Sequence, residues 1–156
     1  MKRRFKRWWF WIGVPIVVGI LALLAFCLTH RVWSVGEWRV YQAMEKECHP
    51  VWRDYHFGRI RAGDPVDDVI AQTAPGTVKR QGRWVILGYP KDPDVRGISF
   101  TGLTAVAYDG RMVCALGASC TWVRLFFDEM TDEQSREFFG RSKADPERLG
   151  IVPVYR

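Results

Sequence analysis

At 156 residues the chain has room for one modest domain and little else. Its 23 Lys and Arg against 17 Asp and Glu give a formal charge of +6, but five of the basic residues fall in the first seven positions, leaving 18 against 17 beyond them. A near-neutral body excludes the clustered cations that nucleic-acid binding rests on, so no nucleic-acid partner is expected.

The leader comes first in the chain. From Trp8 to Leu28 no residue is charged, and those 21 positions at ~1.5 Å each reach the ~30 Å of a bilayer core. A secretory apolar region is shorter, roughly 7–15 residues, so the stretch predicts a retained signal-anchor helix over 8–28 behind a cytoplasmic tail over 1–7. Arg3, Arg4 and Arg7 flank it, and Trp8, Trp9 and Trp11 stand where an aromatic belt meets headgroups. Pro15 is tolerated near the start of such a span. Only Arg31, Arg39 and Lys46 follow within about twenty residues, so the charge bias places the N-terminus in the cytoplasm and the rest of the chain outside it. The lipid bilayer is thus one expected partner.

A juxtamembrane linker over 29–36 leads into a domain over 37–141. Trp38, Tyr41, Met44 and Cys48 recur at helical spacing until Pro50 interrupts them. A second short helix has Pro50 in its first turn and Gly58 as its C-terminal cap. In "RAGDPVDDVIAQTAPG", Asp64 is the expected N-cap and Pro65 the first helical residue, with Asp67 and Asp68 at the positive helix end. Val66, Val69, Ile70 and Thr73 share one face before Pro75-Gly76. Thr77–Gln81 and Arg83–Tyr89 read as a hairpin across Gly82.

Asp109-Gly110 is the residue pair of a type I′ turn, and apolar alternation flanks it. That turn sets Tyr108 opposite Arg111, Ala107 opposite Met112, Ala105 opposite Cys114 and Leu103 opposite Leu116. These pairs predict a core face that continues through Ala118, Cys120 and Trp122. Thr131-Asp132-Glu133-Gln134 is a capping box opening a helix that carries Phe138 and Phe139 and ends at Gly140. Residues 142–156 have no period and read as an extended tail. The expected fold is α+β: a transmembrane helix, short helices on a three- to four-stranded antiparallel sheet, and a C-terminal helix.

The run "IRAGDPVDDVIAQTAPG…RWVILGY…LTAVAYDGRMV" resembles the SmpA/OmlA-like domain of the small lipoprotein in the bacterial outer-membrane barrel-assembly machine, over roughly Ile60 to Val113. Its β-lactamase-inhibitor-like relatives share that pattern. The chain lacks that family's lipobox, and Ala74-Pro75-Gly76 replaces its Gly-x-Pro. The resemblance implies a helical pair on a three-stranded sheet and a binding domain with no catalytic centre.

Few residues suit chemistry. Cys48, His56 and Cys120 are the candidates for a thiol or zinc site, but their spacing matches no zinc pattern. On one strand, Cys114 and Cys120 would stand ~20 Å apart, beyond a disulfide's reach; Cys48 could bond to either. No nucleophile elbow, phosphate loop or metalloprotease motif occurs, and neither a cofactor nor a metal is expected. The aromatic content of 14 %, with eight Trp, is the stronger signal. Trp38, Trp52, Trp84 and Trp122 cannot all be deeply buried in so small a domain with every N–H paired. In "TWVRLFFDEM", Trp122, Arg124 and Phe126 share one strand parity and Leu125 and Phe127 the other. Trp122, Arg124, Phe126 and Phe127 therefore make the candidate interaction surface for another envelope protein. The leading expectation is a membrane-anchored, non-catalytic interaction module of the cell envelope. The alternative is a small thiol- or metal-dependent envelope enzyme using Cys48, His56 and Cys120.

Overall fold

The described residues form five helices and five strands: α1 (Lys2–His30), α2 (Val35–Glu47), α3 (Trp52–His56), α4 (Val66–Thr73), β1 (Thr77–Gln81), β2 (Trp84–Pro90), β3 (Gly102–Tyr108), β4 (Arg111–Ala118), β5 (Val123–Asp128) and α5 (Asp132–Phe139). The computed structural model describes residues 2–47, 49–90, 102–119, 122–145 and 147–149, with the side chains of 2–10, 47 and 90 set aside. The chain divides into two compact units, Met1–Tyr41 and Gln42–Arg156, and α2 runs across the division.

In the first unit, α1 is one uninterrupted helix that begins well before the apolar stretch and passes through Pro15. Pro15 therefore lies in the helix interior rather than near its start, where it has no backbone N–H to donate to the helical ladder. Trp11–His30 is long and apolar enough to cross a membrane, and none of it is buried. Arg31 takes a positive φ of 50°, and the Val32 N–H donates to the Cys27 carbonyl at 3.2 Å, which ends α1. Ser34 then caps α2: its Oγ accepts from the Glu37 N–H at 3.1 Å, and the Glu37 carboxylate accepts from the Trp33 N–H at 2.6 Å.

The second unit is α+β, with one antiparallel sheet in the order β1-β2-β3-β4-β5. The expected sheet of three to four strands is corrected to five. The chain does not run on from Cys114 to Trp122 as one strand; β4 ends at Ala118 and β5 returns antiparallel to it. On one face, Val85, Leu87 and Tyr89 stand beside Ala107, Ala105 and Leu103, and all six are buried. Trp52 and Tyr55 of α3 and Val66 and Val69 of α4 supply buried apolar partners. The other face carries a second cluster of Trp84, Val106, Cys114 and Met130, joined by Phe138 and Phe139 of α5.

The central hairpin has the expected turn, with φ of 49° at Asp109 and 77° at Gly110. Tyr108 faces Arg111 and Ala107 faces Met112, as the alternation predicts. A bulge then shifts the register, so Val106 faces Cys114, Ala105 faces Ala115 and Thr104 faces Leu116. One extra residue, Val113, reverses the parity beyond it. Cys114 and Leu116 thereby leave the expected core face for the opposite one, and Ala115 takes their place.

Both ends of α5 follow local chemistry, and the start of α4 does not. The Thr131–Gln134 capping box is formed, and α5 stops at Gly140 with φ of 70°. Asp64 does not cap α4, where Pro65 holds the N-cap position without a side-chain bond. The Asp64 carboxylate instead accepts from the Arg61 N–H at 2.7 Å, while its carbonyl accepts from the Met112 N–H at 2.9 Å. Pairing with β4 captures the residue that would otherwise cap. The segment after α5 is not extended throughout. It turns back so that Arg148 is buried, donating to Ser135 Oγ at 3.0 Å and pairing with Asp128.

Candidate functional site

The segment singled out for its aromatic residues forms an edge. β5 pairs with β4 alone, and no strand lies along its outer side among the described residues. Leu125 is 40 % exposed there, with Val123, Arg124, Phe126 and Phe127 half-buried around it. A second bulge, opposite Ala115 and Leu116, pairs Ala115 with Phe127 and Leu116 with Leu125. Phe126 is the extra residue. Strict alternation therefore fails, and Phe126 and Phe127 both approach the Tyr55 ring, at centroid distances of 5.8 and 6.2 Å.

Trp122 is corrected from surface to interior, being only 8 % exposed. Its ring covers Gly117 together with Phe126: a Cβ at that glycine would meet Trp122 at 3.3 Å and Phe126 at 3.4 Å. Absence of a side chain at position 117 makes room for both rings. Trp52 and Trp84 are buried too, and the Trp84 Nε1–H donates to Glu137 at 2.9 Å. Of the four indoles not expected to be all deeply buried, these three are buried and Trp38 is half-buried. Among the described side chains the exposed indoles are Trp11 and Trp33, both in the first unit.

Behind Phe126 and Phe127 lies a directed chain of hydroxyls. Thr73 Oγ1 donates to the Val69 carbonyl at 2.6 Å, so it accepts from Tyr89, 2.8 Å away, and Tyr89 in turn accepts from Tyr55 at 3.1 Å. Burial, with Tyr89 and nearby carboxylates adding to it, pushes the Tyr55 hydroxyl far above its usual range. The chain pins α3 and α4 to β2 and holds no ionised group that could start a reaction.

The thiol and histidine candidates are dispersed or lie outside the described residues. Cys48 and Cys120 belong to the latter group. His56 is buried, its ring 5.5 Å from Trp52 and 4.9 Å from Phe57. Cys114 is free and buried, and its pKa is pushed up to about 12, chiefly by burial and next by the charge of Asp128. A thiol that stays protonated is a poor nucleophile. Among the described residues no three His, Cys, Asp or Glu side chains converge as a metal site would need. The leader candidates Arg3, Arg4, Arg7, Trp8 and Trp9 lie in the first turns of α1, and Trp11 is exposed on it.

An open cleft of about 580 Å³ lies beside the β1–β2 turn and α5, lined by Gln81, Arg83, Trp84, Ile86, Glu137 and Phe138. Its charges are already engaged. Arg83 pairs with Asp109 and lies 4.3 Å from the Tyr108 ring centroid, and Glu137 accepts from Trp84. The bond from Arg83 holds the Asp109 carboxyl below its usual range.

Two elements escaped the reading of the sequence. The Asp128–Arg148–Ser135 cluster joins residues up to 20 positions apart and carries no local signal. Ser34-Val35-Gly36-Glu37 does carry one, the Ser-x-x-Glu signature of a helix start. No protein-family model matches the chain, and no curated protein or solved structure matches it at a significant level. These comparisons neither support nor oppose the resemblance expected over Ile60 to Val113.

Proposed function

We propose that this chain is a single-pass membrane protein of the cell envelope, whose α+β unit lies outside the cytoplasm and works as a non-catalytic interaction module. The anchor reading is carried by the exterior of α1, where Ile16, Val17, Leu21 and Leu24 all stand open. Water disfavours such surface by about 25 cal/mol per Å², whereas lipid accepts it. The basic cluster of Lys2–Arg7 at one end supports an orientation with the N-terminus inside. The module reading is supported by β5, an edge strand with an exposed leucine, which suits another envelope protein adding a strand there.

A reporter fused after Arg156 tests the topology: it is active only when exported, and its export depends on the Lys2–Arg7 cluster. Activity of the intact fusion in the cytoplasm reverses the assignment. Photocrosslinking from position 125 in intact membranes yields a protein adduct that position 79, on the opposite edge strand, does not; equal yields dismiss β5 as the docking edge. The alternative enzyme on Cys48, His56 and Cys120 is separated by alkylation. Slow native labelling of Cys114 and Cys120 is expected, and rapid, pH-dependent labelling of Cys120 in the folded protein promotes the enzyme.

A further inference from the structure

We propose that the corner between α1 and α2 is a seat for the membrane–water interface, in which Trp33, Val35 and the Phe26–Trp38 pair sit at headgroup level and Arg31 and Arg39 face anionic headgroups. The inference rests on the anchor reading above and adds a second lipid contact, on the far side of the span from the basic leader.

Four observations within the first unit carry it. The apolar exterior of α1 continues to Leu28, and the chain reverses within the next few residues, at Arg31. Past the reversal, α2 comes back beside the end of α1. Its Trp38 ring lies 5.1 Å from Phe26 and 5.8 Å from His30, and it stacks on Tyr41 at 5.4 Å. Phe26 belongs to the apolar stretch, so the first turns of α2 share its depth rather than projecting beyond it. At the corner itself, Trp33 is 65 % and Val35 71 % exposed, large apolar groups held outward next to charged ones. Finally, their direction is set rather than loose, because Ser34 and Glu37 cap the helix start on both sides of the turn.

Water is a poor solvent for this combination and a bilayer boundary a good one. Indole prefers that depth, with its ring in the acyl margin and its N–H toward water. Arginines at the margin lay their carbon stems along apolar surface while the guanidinium reaches lipid phosphate. Arg31 and Arg39 are both exposed beside the apolar pair, which supplies the charge complement to anionic lipid.

The test places a photoreactive benzoylphenylalanine in the full-length chain at position 24, 33, 35 or 45, in nanodiscs of phosphatidylcholine mixed with phosphatidylglycerol. Positions 33 and 35 are open, so the substitution leaves the helix start intact, and melting of each variant verifies this. Lipid adducts are expected at 24, 33 and 35, several-fold above the yield at 45. In the Arg31→Gln, Arg39→Gln double variant, the phosphatidylglycerol share of the adducts at 33 and 35 falls. Adducts at 24 alone overturn the interfacial seat and leave the anchor standing. No adduct at any position overturns both, and adducts to a second copy of the chain at 33 and 35 overturn the seat in favour of a protein contact.

Discussion

The two faces of the sheet are held by different means. The face under α3 and α4 is broad and apolar, built on Leu87, Leu103, Tyr89 and Trp52, and its hydroxyls of Thr73, Tyr89 and Tyr55 form one chain. The face under α5 has a smaller apolar cluster around Trp84, Val106 and Cys114. Charge completes it: the Asp128–Arg148 pair, nearly closed to solvent, ties the end of β5 to the segment beyond α5, and Lys143 Nζ donates to the carbonyls of Asp128 and Met130. Apolar burial tolerates small shifts in geometry, whereas a buried ion pair does not, because either partner alone is a stranded charge. The second face thus depends on a residue far along the chain, whereas the first is built from β2, β3, α3 and α4.

The largest effect expected from breaking this contrast is at the ion pair. Arg148→Ala strands Asp128 and should lower the unfolding free energy in urea by about 4 kcal/mol. Replacing both partners with leucine should recover most of that loss, and a double variant no better than the single removes the ionic account of this face. On the apolar face, Leu87→Ala should cost about 3 kcal/mol through lost transfer energy and a residual cavity, with no dependence on salt. A loss under about 1 kcal/mol would show a site that collapses freely.

A smaller effect separates hydroxyl bonding from burial on that same face. Tyr89→Phe keeps the ring and removes the middle link of the chain, leaving Tyr55 without its acceptor and the Thr73 oxygen without its donor. A loss of about 1–2 kcal/mol in thermal or urea melting is expected; wild-type melting would make the chain incidental. The smallest effect concerns acid. The Ser142 hydroxyl, the Lys143 N–H and Arg136 hold the Asp132 carboxyl below its usual range. A depressed carboxylate contributes stability that is present above its unfolded value, near pH ~4, and is lost as pH falls through the folded value. Melting should therefore be flat from neutral pH down to about 5 and drop below about 4, less steeply in Asp132→Asn. An equal acid slope in the variant would assign the drop to other groups, Asp109 first among them.

Legibility followed the range of the interactions. The Asp109-Gly110 turn, the Thr131–Gln134 cap, the Gly140 stop and the apolar stretch of the leader were each determined by the sequence alone, because each is settled among residues a few positions apart. The α+β class followed from the same local periods. The aromatic segment around Phe126 was legible as a place of note, although Trp122 lies inside and Leu125, outside the expected surface, is the one in the open.

Which way the strand residues point was settled by packing across the fold. Val113 and Phe126 are each one residue too many against their partner strand, and each reverses the parity of everything beyond it. That choice depends on what presses on the two faces: Tyr55 draws Phe126 and Phe127 to one side, and Trp84 and Met130 surround Cys114 on the other. Arg148 likewise carries no mark of burial in its own neighbourhood; it is buried because Asp128 and Ser135 meet it across the fold. A turn or cap minimises its energy over four residues and can be read from four residues, whereas a bulge or a buried charge minimises the energy of surfaces that the chain brings together only once folded.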